Sequence, residues 1–475
     1  MTIDEIPEGS SVGRQWSTFF PVCLATSAVA LIRYIWEAAS FPFILVGDNL
    51  LLRGSLERNE LKLENCLNFG RLRPATYCEI AIRDHFAVLD SNAIEAVQFA
   101  VGVGAAAGLG WATIELMLGG LNKYLQMKSL VVPFSVWLGT SPVWSYSITS
   151  DYLAMEIFGS VFFLGSLYLQ IKAIVTETPS LLIGALLCAA AATAWHERFI
   201  AAWFCTACAA LVIRRHVNSR SKMALVVACS GGLTLLYFAL RWKSSTNYLV
   251  GFGGETKTSL DSFLTTQSMS RSLFTAVISL SPIHTENYFF LGARTTTYVA
   301  LLSSVIGVCL AFWSLRLVAR HVKARSDLNI RRQRAKWAIF GGNYLLLLAF
   351  IASVEERLEL RWLAVFLTLA SVFLFANLGI RTRIASAPRK LSILLLSLAG
   401  AFLGTASIPR VQFPYVVGEV LMKEYEAGRF VKGGALVICS ESQLPYEYLR
   451  WHSGYGQLWR IEWYDEPPCL AIRNS

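Results

Sequence analysis

Long apolar segments separated by short polar linkers recur along the chain from residue 17 to residue 408. Several reach about 20 residues, the length that a helix needs to cross the hydrocarbon core of a bilayer. Transmembrane β-strands alternate apolar and polar residues, whereas segments such as 223–240 are continuously apolar. The pattern therefore predicts an all-α polytopic membrane protein. About eleven spans are expected, at residues 17–38, 92–119, 129–147, 152–174, 180–195, 198–213, 223–241, 295–315, 337–354, 362–380 and 391–408.

The composition supports this prediction, since 55% of the residues are hydrophobic and only 16% are charged. Soluble domains average about 25% charged residues, so a soluble globule or a disordered chain is excluded. The first 18 residues are acidic and polar. They lack the basic start and the small-residue cleavage site of a signal peptide, and we expect the first apolar segment to remain as a span.

Basic residues are concentrated in four linkers, in which Asp327 is the only acid: 123–128, 214–222, 316–336 and 381–390. Short basic loops stay on the cytoplasmic side of a membrane. The net charge of +10 is therefore explained by basic residues in cytoplasmic linkers, and no nucleic-acid partner is expected. This orientation places three large segments outside: a first loop at 39–91, a second at 242–294, and the tail 409–475.

The tail is predicted to form a small exoplasmic α+β cap. A helix to Gly428 is followed by three segments typical of short strands, at residues 434–439, 457–464 and 469–473. The predicted domains are accordingly a transmembrane domain over residues 1–408 and the cap over residues 409–475.

Four of the ten cysteines fall in pairs within predicted outer segments. Cys66 and Cys78 share the first loop, and Cys439 and Cys469 share the tail, so an oxidising exterior would allow two disulfides. Four unpaired thiols are the alternative. The other six lie in apolar segments, where a thiol behaves as a small hydrophobic group.

Carboxylates mark the outer ends of two predicted spans. Asp48 follows the first span and could accept a proton from a hydroxyl, or simply cap the next helix. Asp151 begins a later span on the same face, where capping is again the simpler role. A third outer turn holds His196, Glu197 and Arg198, which either serve a site or face water in a helical hairpin.

The first outer loop alternates leucines with charges, a pattern that predicts amphipathic helices along the membrane surface. Arginine matches phosphate bidentately, so the loop arginines could contact lipid headgroups or a phosphorylated substrate. Farther along, Arg357 and Arg361 are four residues apart on one helical face, and they either bind a phosphate or pair with neighbouring glutamates.

Residues 17–215 resemble the amino-terminal half of the GT-C superfamily, membrane glycosyltransferases that take a sugar from a polyprenyl-phosphate donor. The first loop closing on Gly70-Arg71 is similar to the bacterial branch that glucosylates O-antigen. Two positions depart from the family pattern: Asn49 stands where many members have a second acid, and His196 where many have a lysine. The resemblance is carried by Arg33, Pro42, Asp48, Ser141-Pro142, Ser145, Ser147, Asp151 to Ala154, and the segment 184–194 that leads into the charged turn.

The resemblance implies an inverting transfer from a polyprenyl-phosphate sugar to a glycolipid or polysaccharide acceptor. It assigns the base to Asp48, with Asp151 positioning the acceptor or the base. A positively charged side chain is also required beside the leaving phosphate, where negative charge accumulates. The first candidates for that role are Arg198 and His196, and the second are Arg58, Arg71 and Arg73. Candidates for the acceptor or for lining the cavity are Glu197, His284, Arg294, Arg357 and Arg361.

No metal site and no cofactor are predicted, although metal use stays open. The expected location is the bacterial cytoplasmic membrane, with a multi-pass chain whose active site faces the periplasm or exterior among membrane lipids. A flippase or transporter for a lipid-linked glycan is one alternative, which would favour charges in mid-span and repeated halves. Glu115 and Glu156, the acids within apolar spans, both lie near a span end. An O-antigen polymerase or ligase is the other alternative, suggested by the loop 242–294.

Overall fold

The computed structural model describes residues 12–40, 61–67, 73–86, 92–118, 127–144, 153–214, 220–243, 305, 309, 327–354, 363–381, 435–439, 460–464 and 470–473. Within these residues the helices are α1 (Val12–Ser40), α2 (Pro74–His85), α3 (Asn92–Leu118), α4 (Met127–Gly139), α5 (Leu153–Thr176), α6 (Ser180–Trp195), α7 (Ala201–Arg214), α8 (Arg220–Lys243), α9 (Asp327–Val354) and α10 (Ala364–Arg381). Two 3-10 turns lie at Pro142–Trp144 and Glu197–Ile200.

Three of these helices have the length and hydropathy of membrane spans, with apolar stretches over Phe19–Trp36, Ala93–Met117 and Ala154–Thr176. Shorter apolar helices cover Leu130–Gly139, Ser180–Trp195 and Met223–Tyr237. The helical membrane class is thus supported at these segments, and the full number of spans stays a prediction. Most of the predicted span 295–315 and all of the span 391–408 lie outside the described residues.

One predicted end is wrong, and one helix extends beyond its predicted span. Helix α4 ends at Gly139, eight residues before the predicted end at 147, because a turn at Thr140 leads into the 3-10 turn at Pro142. Helix α9 begins at Asp327, ten residues before the predicted start at 337. The basic residues from Arg331 to Lys336, predicted as linker, are helical, since a helix can extend past the bilayer with polar residues.

Helix α1 packs along α3 through small residues. A Cβ atom at Gly104 would lie 2.0 Å from Ser27 Oγ and 2.6 Å from the backbone oxygen of Cys23. One turn on, a Cβ at Gly108 would lie 2.2 Å from Cys23 Sγ. Two glycines four residues apart let helix backbones approach closely, which is a common contact between helices in membranes.

We expect Gly104→Ala and Gly232→Ala to change stability in opposite directions. The first methyl group would meet α1 and should lower the free energy of unfolding by about 1 to 3 kcal/mol. The second meets nothing within 4 Å, and removing a helical glycine should raise that free energy by roughly 0.5 to 1 kcal/mol. Denaturant unfolding of the two variants in detergent measures the difference. A destabilised Gly232→Ala, or an unaffected Gly104→Ala, would contradict the close contact.

The helix ends that the basic linkers assigned to the cytoplasm lie together. One apolar cluster joins the corresponding ends of α5 to α9 through Ile174, Leu182, Ile213, Met223 and Ile339. At the same end of α9, buried Lys336 donates a hydrogen bond to the carbonyl oxygen of Leu116 at 3.1 Å, and so caps the C-terminus of α3. Helices α5 to α9 therefore alternate in direction, and the side of the membrane that these ends face stays a prediction.

A polar network in the middle of the bundle joins α5, α7 and α9, and its members are fully buried. Gln170 Nε2 donates to Thr206 Oγ1 at 2.9 Å and to Ser166 Oγ at 3.1 Å. Asn343 Nδ2 in turn donates to Gln170 Oε1 at 2.8 Å. Such bonds between apolar helices fix their register, here between α9 and the first half of the chain.

Part of the first outer loop forms a small unit around α2. The Cys66–Cys78 disulfide is present, which confirms that prediction. Pro74 begins α2, as the missing N–H group of proline allows. Tyr77 and Ile80 pack with Leu61 in a local apolar cluster, while Asp84 is exposed. Helix α2 therefore has one buried face, as expected for an amphipathic helix.

Three strands in the tail form one sheet, in the order β2-β1-β3: β1 (Ala435–Cys439), β2 (Arg460–Tyr464) and β3 (Leu470–Arg473). Strand β1 pairs with β2 in parallel and with β3 antiparallel. Each strand overlaps a segment that the sequence predicts as strand. Cys469 lies outside the described residues, so the Cys439–Cys469 bridge and the cap as an outer domain remain predictions.

Candidate functional site

The turn between α6 and α7 buries three ionisable side chains. His196, Glu197 and Arg198 expose 6%, 1% and 5% of their surface. Helix α6 ends at Trp195, where His196 adopts an extended backbone, and its Nδ1 atom accepts a hydrogen bond from the backbone N–H of Arg198 at 3.3 Å. This cap starts the 3-10 turn at Glu197. The sequence left open whether these groups face water, and the structure shows that they do not.

Glu197 forms a two-pronged ion pair with Arg73, the residue that precedes α2. Arg73 Nη2 donates to Glu197 Oε1 at 2.7 Å, and Arg73 Nε donates to Glu197 Oε2. Thr76 Oγ1 also donates to the backbone oxygen of Trp195 at 2.8 Å. Both side chains of the ion pair are buried. The start of α2 is therefore docked directly on the turn between α6 and α7.

Arg198 forms a second buried ion pair, with Glu156 in the first turn of α5. Its guanidinium carbon also lies 5.0 Å from the centre of the Phe199 ring, in cation–π range. Arg73 Nη1 lies 3.4 Å from the sulfur atom of the neighbouring Met155. Both arginines thus meet the start of α5. We call Arg73, Glu156, His196, Glu197 and Arg198 the charge cluster.

Glycine at position 159 permits the packing beside the charge cluster. A Cβ atom there would lie 2.5 Å from the ring of Phe199. Phe199 is fully buried and packs 5.5 Å from Phe163, measured between ring centres. The Phe199 ring fits against α5 only because Gly159, one turn beyond Glu156, has no side chain. The close packing of Phe199 in turn positions the adjacent Arg198 against α5.

The charge cluster contains two guanidinium and two carboxylate groups, so the protonation of His196 sets its net charge. Burying charge is costly unless the charges are paired and hydrogen-bonded, which explains why each arginine meets a glutamate. Glu156 is the member that sequence reasoning missed. An acid in the first turn of an apolar helix was the available signal, since ionisable groups within spans are usually functional.

A second buried network holds the other end of α2. Arg83 pairs with Glu95 in the first turn of α3, and Tyr34 donates to Glu95 Oε2 at 2.8 Å. Arg83 also lies 3.6 Å from Glu79. Two carboxylates face one guanidinium here, so this network is more acidic than the charge cluster. It clamps α2 to α1 and α3.

Arg33, one of the residues that carry the family resemblance, is buried at the end of α1. Its Nη1 atom donates to the carbonyl oxygens of Gly139, at 3.3 Å, and of Ser141. The last carbonyls of a helix lack partners within the helix, and Arg33 supplies one. Two sequence features that the resemblance groups together, Arg33 and Ser141, are therefore in contact.

Of the predicted site residues, the structure brings together Arg73, His196, Glu197 and Arg198. The predicted catalytic pair, Asp48 and Asp151, lies outside the described residues, as do Arg58, Arg71, His284, Arg294, Arg357 and Arg361. Among the described residues there is no group of three or more histidine, cysteine or acidic side chains arranged to hold a metal. Metal use therefore stays as open as the sequence left it.

The charge cluster thus gathers two buried arginines, two buried glutamates and a histidine where the start of α2, the first turn of α5 and the turn between α6 and α7 meet. No protein-family model, curated protein or solved structure matches the chain. The likeness to the GT-C superfamily consequently rests on the sequence features given above.

Proposed function

We propose that the chain is an inverting glycosyltransferase that moves a sugar from a polyprenyl-phosphate donor to a glycolipid or polysaccharide acceptor. The proposed location is the outer face of the bacterial cytoplasmic membrane. The observation that carries the proposal is the charge cluster. In it Arg73 of the first outer loop, Arg198 of the turn after α6, and the first turn of α5 are in mutual contact.

The first two of these segments hold the residues predicted for the donor phosphate, and the third follows Asp151, which the resemblance assigns to positioning the acceptor or the base. They are distant in sequence, and Arg73 and Glu197 are 124 residues apart. All of them lie at the ends of helices that the charge pattern assigns to the outer side. A site for a lipid-linked donor is expected at such an end, where the phosphate of the donor sits at the membrane boundary.

The chemistry of the transfer requires positive charge near the phosphate. The glycosidic bond to the phosphate breaks as the acceptor oxygen attacks, and the leaving phosphate keeps the bonding electron pair. Preorganised guanidinium groups stabilise that charge, and they do so more strongly where water is excluded. Arg73 and Arg198 are both buried, and they are our candidates for the donor phosphate.

The remaining roles follow the family resemblance. Asp48 takes the proton of the acceptor hydroxyl, whose oxygen then forms the new bond to the anomeric carbon. Asp151 positions the acceptor or the base. One displacement without a covalent intermediate inverts the anomeric centre.

A lipid-linked glycan transporter is the second candidate. It is favoured by one observation, the fully buried polar network of Gln170, Thr206 and Asn343 in the middle of the bundle. Transporters commonly place polar groups near the bilayer midplane. Hydrogen bonds between its members hold the network together, as they would if it served helix packing alone. The loop 242–294, which suggests a polymerase or ligase, lies outside the described residues.

Reconstituted protein distinguishes these functions. We expect purified full-length chain in liposomes to transfer a labelled sugar from a polyprenyl-phosphate donor to an added glycolipid, with inversion detected by nuclear magnetic resonance. Protein-free liposomes are the control. Movement of intact donor across the bilayer without any new glycosidic bond would contradict the proposal and support the transporter.

A further inference from the structure

Glu197 lies between Arg73 and His196. Its Oε2 atom accepts a hydrogen bond from Arg73 Nε and is also 3.4 Å from Nδ1 of His196. That nitrogen accepts the backbone N–H of Arg198 when the imidazole is neutral. A ring nitrogen cannot accept one hydrogen bond and donate another at the same time. The ring therefore has two alternative states, one capping the turn and one bonded to Glu197.

We propose that Glu197 blocks the guanidinium group of Arg73 until His196 takes up a proton, an arrangement that we call the latch. This inference rests on the proposed function. In the closed state Glu197 occupies the fork of the Arg73 guanidinium. The phosphate of the lipid donor takes that place, because carboxylate and phosphate oxygens bind the same fork. The displaced carboxylate then binds a protonated His196, whose Nδ1 atom is already within reach.

Charge balance explains why a proton accompanies the phosphate. With His196 neutral, two arginines balance two glutamates in the charge cluster. A phosphodiester adds one negative charge to a buried site, and a proton on His196 restores neutrality. Uncompensated charge is costly in a buried environment, so binding and protonation favour each other. Histidine is the side chain suited to this, since it titrates near neutral pH.

The groups that face His196 support this balance. Glu197 lies against His196, and Glu197 and Arg198 pair in turn with Arg73 from the start of α2 and with Glu156 from α5. Helix α6 contains no charged residue. The charged residues described in α7 and α9 lie at the opposite ends of those helices, at Arg214 and between Asp327 and Lys336.

The described contact between a histidine and an ion-paired glutamate is the one between His196 and Glu197. His85, exposed at the end of α2, offers a matched control histidine.

The test is donor affinity against pH, measured by calorimetry on the full chain in detergent. The probe is a polyprenyl phosphodiester sugar, because a phosphodiester does not itself titrate between pH 6 and pH 8. We expect wild type to bind up to about tenfold more tightly for each unit by which pH falls, the slope for uptake of one proton. His196→Gln should remove the slope, and His85→Gln should retain it. An unchanged slope in His196→Gln overturns the latch.

A second variant separates the latch from a purely structural role of Glu197. Glu197→Gln should bind the probe more tightly than wild type at pH 8 and with little pH dependence, because the amide competes poorly for Arg73. Reduced thermal stability with unchanged affinity overturns the latch. If this variant does not fold, His196→Gln decides the question alone.

Two further arms identify the ligand and separate this inference from the proposed function. Phosphatidylglycerol should show no pH-linked binding, and equal pH-linked binding of both lipids overturns the assignment to the donor.

Sugar transfer by wild type with a flat pH profile of affinity would refute the latch but keep the glycosyltransferase. A pH-linked affinity without any transfer would keep the latch and refute the glycosyltransferase.

Discussion

Asp48→Asn is expected to reduce sugar transfer by about 100-fold to 10,000-fold, the usual cost of losing a positioned base. The amide has nearly the shape of the carboxylate but cannot take the proton of the acceptor hydroxyl. Membrane insertion and donor affinity should remain at the wild-type level. The measurement is the initial rate of transfer with purified donor and acceptor, together with donor binding by calorimetry.

Asp84→Asn is the matched control for this variant. Asp84 is an exposed carboxylate in the last turn of α2, within the same outer loop, and its replacement should leave the rate unchanged. Wild-type transfer by Asp48→Asn would show that the base assignment is wrong. The transporter would then be the better proposal, since translocation needs no proton acceptor at that position.

Arg198→Ala is expected to lower the free energy of unfolding by about 3 to 5 kcal/mol, because Glu156 stays buried without its guanidinium partner. It should also abolish sugar transfer, since one of the two charges proposed for the donor phosphate is lost. Denaturant unfolding in detergent and the transfer assay measure the two effects.

A double variant separates these effects. Arg198→Met combined with Glu156→Met replaces the ion pair by apolar side chains and should recover most of the lost stability, but not the transfer. Arg83→Ala is the control ion pair on α2: it should cost similar stability through Glu95 and leave donor affinity intact. Full activity in the stable double variant would refute a role of Arg198 at the donor phosphate.

The positions of several helices could be predicted from the sequence. The predicted spans 92–119 and 180–195 differ from α3 and α6 by one residue at most. Apolar length is a local property, and transfer into lipid depends on each segment alone. The Cys66–Cys78 disulfide was also predictable, because the two cysteines lie only twelve positions apart within one predicted outer segment. Helix ends that depend on contacts with other helices were not predictable from the sequence. Helix α4 ends earlier than predicted, at Gly139, whose carbonyl oxygen accepts a hydrogen bond from Arg33.

Four of the five members of the charge cluster were predictable from the sequence, and Glu156 was missed. The sequence identified His196, Glu197, Arg198 and Arg73 as site residues, because ionisable groups are rare beside apolar segments. It could not assign Glu197 to Arg73 or Glu156 to Arg198, and it treated the arginines as groups directed at a substrate phosphate. It also did not anticipate that the carboxylate of Glu197 lies within reach of the His196 imidazole.

By itself, the sequence determined that this is a helical chain of membrane-span composition and which charged residues stand at the ends of its apolar segments. Only the tertiary structure decided the partner of each buried charge and the parallel pairing of β1 with β2. The reason is physical. Burial in lipid and the sidedness of basic loops depend on local composition, whereas an ion pair between residues 73 and 197 exists only after α2 has docked on the turn between α6 and α7.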